Sequence, residues 1–417
     1  MLIRRVVSCA LFALMIPIAL IKPSTAEEGG KRYSLEEVLT LAEQRNPSLA
    51  VFQSNVEAAR GAFTSARAYP NPEVMIELGT GKPLDPPNAD SGREHRLELS
   101  QSLEWPGKRA SRTRAAEAQV GVARGNLDDF RLELRAQFKE AFFETVLAQQ
   151  TAQVAAQNLA TARSLVESAT LRVESGEAPD LELIRARVEL FNVTREARRA
   201  HNRLLTAKTA LNSLLAGALG ETFDVVGAPP RLDAAYELPV LIERSLATHP
   251  LIVRQEQALK AAGYTLSEQR QARVPDLTVT ASTGEEIDKR SSAIGLALSV
   301  PLFNQRRGDI ATARAEQARA QAELAQTRLD LTKLISQEYE NYRLAIDQIN
   351  TFEEGLLKQA DEALRIAQLS YEQGELDLLN LLDAQRVQRV ALLEYYDAQF
   401  ELQTALARLE RVTGGLQ

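Results

Sequence analysis

Few side chains in this sequence could do chemistry, and those few are scattered. The histidines are His95, His201 and His249, the one cysteine is Cys9, and Met75 is the only methionine after residue 15. A zinc or copper site needs three or four such ligands brought to one point, and no two of these residues are spaced to make a site locally. All three histidines therefore read as ordinary polar positions. No nucleophile-and-base motif and no glycine-rich phosphate cradle is present, so the chain is not expected to be an enzyme, to hold a metal or to carry a cofactor. The remaining pattern is one of charges and turns. Asp377, Asn380 and Asp383 follow one another at steps of three, hence along one helix face, just after Gly374 and Glu375. Gly176, Glu177, Asp180 and Arg185 sit comparably in an earlier stretch, with Glu182 between them. What such residues do depends on the elements that carry them.

The earlier stretch belongs to a very long helix. Pro106 and Pro179 enclose more than 70 residues without a proline, too many for an ordinary globular helix. Within them Ala141, Thr145, Ala148, Ala152, Ala155, Leu159, Ala162, Val166, Ala169 and Val173 recur at alternating steps of four and three, the seam of a left-handed coiled coil. A seam made mostly of alanine lets helix axes approach closely. Glu174 to Asp180 then supplies Gly for a left-handed C-terminal position, Pro at an early position of the next helix and Asp near its positive end. That helix runs through Leu181, Ile184, Val188 and Phe191 to about Leu215. At 1.5 Å per residue the first arm alone is roughly 100 Å long. The object is a rod.

The rod occurs twice. Arg172 to Glu177, with Leu183, Ala186 and Arg187, matches Ser370 to Glu375, with Leu381, Ala384 and Gln385, at an offset of 198. Tyr33 and Asn46-Pro47 match Tyr236 and His249-Pro250 at 203, and Leu99, Ser100 and Leu103 match Leu298, Ser299 and Leu302 at 199. Anchors in one order at nearly one spacing indicate a tandem duplication of about 200 residues. The repeats are expected at 27–235 and 236–417, with helical hairpins near 107–215 and 304–413. Ahead of them, Arg4 and Arg5 precede an apolar run from Val6 to Ile21 and the small residues Ser24, Thr25 and Ala26. Residues 1–26 thus read as a secretory signal cleaved after Ala26. Cys9 lies too early in the run to be the acylated first residue of a lipoprotein. The remainder has 46 basic against 56 acidic residues, a net charge of −10, which argues against nucleic-acid binding.

Ser34 to Glu37 reads as a capping box, and Asn46-Pro47 separates the helix it opens from a second one ending near Tyr69. The period then changes from 3.6 to 2. Val74, Ile76 and Leu78 alternate with Glu73, Met75 and Glu77; Leu97, Leu99 and Leu103 alternate with Arg96, Glu98, Ser100 and Ser102, with Gln101 breaking the apolar face. In the second half Leu277, Val279 and Ala281 alternate with Thr278, Thr280 and Ser282, and Ile294, Leu296, Leu298, Val300 and Leu302 alternate with small or polar residues. Strands are expected near 72–79, 95–103, 276–283 and 292–302, around loops at 79–94 and 284–291. Each is near the roughly 9 to 11 residues that cross a bilayer at a tilt. Four strands cannot close a barrel, whose smallest membrane form has about eight, and lipid does not tolerate open edges. The chain is expected to oligomerise: two copies would give a barrel filled by side chains, three a twelve-stranded one with an aqueous lumen.

This order of elements, duplicated, resembles the TolC-like outer-membrane efflux family over essentially all the chain after residue 26. Leu97 to Arg109 (LELSQSLEWPGKR), Arg172 to Arg187 and Pro301 to Asn304 with Gly308 look most like its CzcC and CusC heavy-metal branch. The resemblance implies a mainly α fold with a small β part. Duplicated coiled-coil hairpins and four membrane strands per chain would form a homotrimer, with a twelve-stranded barrel in outer-membrane lipid and an α-helical barrel in the periplasm. It implies a periplasmic adaptor of the membrane-fusion type, an inner-membrane RND-type pump, and passive conduction, with heavy-metal cations as cargo. Drug efflux or type I protein secretion is the alternative cargo. A periplasmic coiled-coil adaptor or scaffold is the alternative class, but no lipoyl-like module is found and a scaffold leaves the strands without a purpose. The tips carrying Gly176, Glu177, Asp180, Gly374, Glu375 and Asp377 would dock the adaptor. Asp383 falls where the family lines its periplasmic aperture with acid, Asn380 replaces an acid at another such place, and Arg185 of a neighbouring hairpin would pair with Asp383 to hold the aperture shut. Many relatives begin with an acylated cysteine; this sequence lacks one there, so no lipid anchor is expected.

Overall fold

A proline costs little in the first turn of a helix, where its missing N–H would have had no helical partner, and three of the helices start on one. The computed structural model of the chain describes residues 31–82, 91–227, 236–287 and 289–415; the expected signal segment 1–26 and the loop stretch 83–90 lie outside them. In chain order the elements are β1 (Lys31–Tyr33), α1 (Leu35–Arg45), α2 (Pro47–Arg67), β2 (Glu73–Gly81), β3 (Gly92–Leu103), α3 (Pro106–Glu174), α4 (Asp180–Leu214), β4 (Phe223–Val225), α5 (Leu238–Thr248), α6 (Pro250–Gln271), β5 (Leu277–Glu286), β6 (Lys289–Leu298), α7 (Arg307–Thr351), α8 (Leu357–Glu372) and α9 (Leu378–Thr413). A π-helical turn, Phe352–Leu356, joins α7 to α8. Ser34 closes the expected capping box: its Oγ accepts from the Glu37 N–H at 3.4 Å, and its own N–H donates to the Glu37 carboxylate at 2.8 Å. Pro179 stands just ahead of α4 as its cap rather than inside it, and Asp180 is the first helical residue.

All ten seam positions from Ala141 to Val173 are buried or half-buried, as four-and-three spacing requires. Helix α3 packs along α2, α4, α6 and α9, α7 along α6 and α9, and α8 along α9. First-repeat elements therefore form one long edge of the molecule and second-repeat elements the other. The strands form one antiparallel sheet in the order β2-β3-β5-β6, while β1 pairs with β4 in parallel. Strands β2 and β3 extend farther than expected, to Gly81 and from Gly92, and β6 runs from Lys289 to Leu298, so Val300 and Leu302 lie outside the strand in which alternation placed them. Pro301 has no N–H to give a ladder, and the Leu302 N–H instead donates to the Val300 carbonyl at 2.9 Å. The early start of β6 places Lys289 opposite Glu286 and Arg290 opposite Glu285, the latter pair 3.2 Å apart, opposite charges that favour pairing across strands.

Each repeat buries a core where its short helices cross the long ones. Phe138, Phe142, Phe143 and Phe223 fill the first, and Ile335, Tyr342, Leu406 and Leu409 the second. A third cluster, with Leu165, Ala169, Ala186, Ala367, Tyr371 and Leu378, joins the two hairpins near their tips. Several buried layers of the two long arms match at one offset. Leu127 and Leu324, Leu134 and Leu331, Phe138 and Ile335, Thr145 and Tyr342, and Ala148 and Ala345 each stand 197 apart. Past the π turn the offset becomes 198, for Ala162 with Ala360 and Ala169 with Ala367. The turn thus houses a one-residue insertion, and Gly355 there (φ 151°, ψ −10°) adopts a backbone that side-chain-bearing residues avoid. The first arm of the second hairpin is interrupted here, with no proline to announce it.

Candidate conduit surfaces

Alternation on four paired strands produces two faces of opposite chemistry. Val74, Leu99, Ala281 and Ile294 lie in one row across the sheet, Leu103, Leu277 and Leu298 in another, and Ile76 stands beside Leu97. This apolar face is bare: Leu78 is 81% and Ile294 84% exposed. Gln101 interrupts it beside Val279, and its side-chain amide donates to the Pro70 carbonyl at 3.0 Å, fixing the approach to β2. The opposite face carries Glu73, Met75 and Glu77, Arg96 and Glu98, and Thr278, Thr280 and Ser282. Among the described residues the outer edges of β2 and β6 have no partner strand, and no helix is long and apolar enough to cross a membrane. Open ladders beside a bare apolar face are unstable in water and in lipid alike.

At the far end of the rod the two tips repeat one geometry. Gly176 (φ 76°) and Gly374 (φ 78°) are left-handed, and the N–H groups of Glu177 and Glu375 donate to the carbonyls of Arg172 and Ser370, both at 2.8 Å. That bond is the signature of a Schellman turn. No atom lies within 4 Å of a Cβ built on either glycine, so the dihedral angle, not space, demands glycine. Asp377 caps α9, accepting from the Asn380 N–H at 3.0 Å and from its side-chain amide at 2.7 Å. Asn380, expected to line an aperture, is thereby engaged in the cap. Asp383 pairs with Arg386 on its own helix at 2.7 Å, Arg185 is exposed on α4, and among the described residues no ion pair joins Arg185 to Asp383. Glu177, Glu375 and Asp180 are exposed at the tips.

Sequence reasoning missed a tie between the hairpins. The Tyr371 hydroxyl on α8 donates to Glu182 Oε1 on α4 at 2.6 Å, Arg172 of α3 donates to the same oxygen at 3.0 Å, and its guanidinium lies 5.1 Å from the Tyr371 ring centre. Burial, followed by the bond to Glu182, pushes the Tyr371 phenol above its ordinary value, so it stays a donor. A signal was present: positions 172 and 182 hold Arg and Glu where the matched 370 and 380 hold Ser and Asn. Opposite charges that enter one repeat together are candidates for a pair.

The histidines are not brought together: His95 is exposed on β3, His201 is exposed on α4, and His249 is buried. His249 does the work of Asn46 in the other repeat. Asn46 accepts from the Ser48 N–H at 2.9 Å and donates to the Leu214 carbonyl at 3.1 Å; His249 Nδ1 accepts from the Leu251 N–H at 3.1 Å, which leaves Nε2–H to donate to the Arg411 carbonyl at 3.1 Å. Each ring or amide starts one helix and finishes another. Burial holds the His249 imidazole below its ordinary value, hence neutral.

Residues 38–217 and 241–415 match the outer membrane efflux protein family, one match in each repeat. The chain belongs to that family. It is 27% identical over 396 residues to the cobalt-zinc-cadmium resistance protein CzcC of Cupriavidus metallidurans, covering 94% of this chain and 92% of that one. With the nickel and cobalt resistance protein CnrC of the same organism the identity is 27% over 320 residues, 76% of this chain and 73% of the relative. A crystal structure of CusC shares the fold, with a TM-score of 0.78 at 20% identity over 92% of each chain. In this outer-membrane efflux protein the four-stranded sheet is the membrane part and the helical rod the periplasmic part.

Proposed function

We propose that this efflux protein is the passive outer-membrane channel of a tripartite system exporting heavy-metal cations, with no enzymatic step of its own. The observation that carries the reading is the bare apolar sheet face flanked by open ladders at β2 and β6. With β6 of one copy paired to β2 of the next, three copies close twelve strands around a lumen wide enough for water, whereas two copies close eight strands that side chains fill. Glu73, Glu77 and Glu98 then face the lumen with Arg96 among them, a net acidic lining that favours cations. The tips carrying Gly176, Glu177, Asp180, Gly374, Glu375 and Asp377 dock a periplasmic adaptor, which links the channel to an inner-membrane RND-type pump that selects the ion. Relatives named for cobalt, zinc, cadmium and nickel resistance support this cargo. In a Cys9→Ser background, cysteines placed on the outer edges of β2 and β6 should cross-link the protein into trimers; a ladder ending at dimers would overturn the barrel. A deletion strain should lose tolerance to these divalent metals and regain it on complementation, whereas loss confined to drugs or to peptide export would replace the cargo.

A further inference from the structure

We infer that the junction between sheet and rod binds the headgroup phosphate of an anionic phospholipid, through a site built on Arg67 and Arg109 and extended by Arg273 and Arg307. The inference rests on the membrane placement of the sheet and not on the cargo. The Arg109 guanidinium stands over the Tyr69 ring, 3.9 Å from its centre, and donates to the Tyr69 hydroxyl at 2.6 Å and to the Arg67 carbonyl at 2.9 Å. The Arg67 guanidinium stands over Phe63 at 5.6 Å, and among the described residues it makes no hydrogen bond. At the matching junction of the second repeat, Arg273 Nε donates to the Gln305 carbonyl and Arg307 Nη2 to Gln305 Oε1, both at 3.0 Å. Among the described residues none of these four arginines has a carboxylate within ion-pair reach. The acids Glu104, Asp276 and Asp309 are already taken, by Arg112 at 2.9 Å, Lys108 at 2.8 Å and Arg306 at 3.6 Å.

A guanidinium fixed by carbonyls, a phenol and an amide is oriented without being neutralised. Arginines that tie the rod together close on carboxylates instead: Arg135 on Glu43 at 2.8 Å, Arg203 on Glu144 at 3.1 Å and Arg408 on Glu140 at 2.8 Å. Of its five N–H donors Arg109 gives two to neutral partners and keeps three, and phosphate oxygens accept such donors in pairs. Position then names the anion. Leu103, Leu277 and Leu298 form the last row of the apolar sheet face, and Trp105 follows Leu103 by two residues. Gln101, on that same face, reaches the Pro70 carbonyl next to Tyr69. Tyr69 and Trp105 are exposed at the first junction, and Leu302 and Phe303 at the second. Exposed rings beside unpaired arginines, at the end of an apolar band, fit the border between acyl chains and headgroups. A zwitterionic headgroup brings its own cation to the phosphate, so the arginines favour a lipid with net negative charge.

Trp105 is the only tryptophan of the chain and reports from the site itself. With the full-length protein in phosphatidylcholine vesicles, brominated phosphatidylglycerol should quench Trp105 fluorescence as though enriched roughly threefold or more beside the ring, relative to brominated phosphatidylcholine at the same content. Arg67→Gln removes no hydrogen bond and so spares the fold; it should reduce that enrichment, and Arg67→Gln with Arg109→Gln should abolish it. Arg195→Gln with Arg198→Gln, an equal loss of charge on the exposed surface of α4, should leave it unchanged. Inorganic phosphate, at an ionic strength matched with chloride, should not lower it. Equal quenching by the two lipids overturns the proposal while keeping Trp105 at the bilayer, whereas quenching by neither overturns it together with the membrane placement. A preference that survives the Arg67 and Arg109 pair, or falls as far with the Arg195 and Arg198 pair, overturns the site. Loss of the preference in inorganic phosphate would make it a site for free anions and overturn the lipid.

Discussion

The two repeats fill one architecture with different chemistry. The base of the first is packed with Phe138, Phe142, Phe143 and Phe223, whereas Tyr236, Tyr339 and Tyr342 gather at the base of the second. Asn46 links two helices in the first; His249 does so in the second. The long arm of the first is unbroken, and that of the second carries a π turn. Duplication fixed where layers fall, and each copy then satisfied its polar groups in its own way. Tyr339 donates to the Tyr236 carbonyl at 2.9 Å, yet among the described residues the buried Tyr342 hydroxyl has no partner. The base of the second repeat thus leaves the Tyr342 hydroxyl to be satisfied where the phenylalanines of the first have no polar atom.

The sharpest way to break that comparison is to hollow both frames at one matched layer. Phe138 and Ile335 are both fully buried, and truncation to Ala costs about 3 to 5 kcal/mol for Phe and about 2 to 5 for Ile. Thermal unfolding of each purified variant should show Phe138→Ala as the more damaging. If Ile335→Ala is the worse of the two, the first repeat is not the firmer frame.

His249→Ala comes next, because it strands the Leu251 N–H and the Arg411 carbonyl together, a loss of about 1 to 3 kcal/mol. His249→Asn restores the cap that Asn46 makes and should recover much of that loss. The same pair reads out pH. Burial is the largest influence on His249 and lowers its folded pKa, while the Arg411 carbonyl and the Asp129 carboxylate oppose that shift and the Arg411 charge adds to it. Above the unfolded value of about 6.5 both states are neutral and stability is complete. As pH falls below it the unfolded chain takes up the proton first, so stability is lost between about 6.5 and the lower folded value. Asp129 is shifted upward by burial, so the folded chain binds its proton more tightly and acid costs no stability there. The thermal midpoint should drop from pH 7 to pH 5 in wild type, and that part of the drop should vanish in His249→Asn.

Tyr342→Phe tests the polar cost directly, since removing a buried hydroxyl without a partner should stabilise the fold by about 1 kcal/mol. A lower thermal midpoint would mean that the hydroxyl is satisfied in solution and that the second core is no looser than the first.

The parts of this design readable in advance were those whose signals are local. Glycine in a left-handed turn at Gly176 and Gly374, the capping box at Ser34 and the four-and-three alanine seam each depend on neighbours within a turn or two. The π turn escaped because one extra residue in an alanine-rich, proline-free helix leaves every local preference intact. It shows only as the drift from 197 to 198 between buried layers, which requires knowing what is buried. The role of His249 escaped because its second partner, the Arg411 carbonyl, is 162 residues away. Strand β6 was misjudged because alternation continues through Leu302, while Pro301 removes the ladder donor that pairing needs.

The smallest expected effects lie at the tips, where two candidate restraints differ in exposure. Glu182, held by Tyr371 and Arg172, leaves 12% of its side chain exposed; Asp383, held by Arg386, leaves 60%. A wet ion pair contributes about 0 to 1 kcal/mol, and Asp383 already shares its charge with Arg386, so an Arg185 from a neighbouring copy would find its field partly answered. A largely buried bond from a neutral phenol to a carboxylate is less screened and stronger. In planar bilayers Tyr371→Phe should therefore raise resting conductance more than Arg185→Ala, and Asp383→Ala should lower cation selectivity slightly. If Arg185→Ala opens the channel and Tyr371→Phe does not, closure depends on contacts between copies rather than on the tie within each chain. The second hairpin would then be held by its neighbour's frame, not its own. Unchanged selectivity in Asp383→Ala, with unchanged conductance in Arg185→Ala, would leave the Tyr371 tie as the sole restraint at that end.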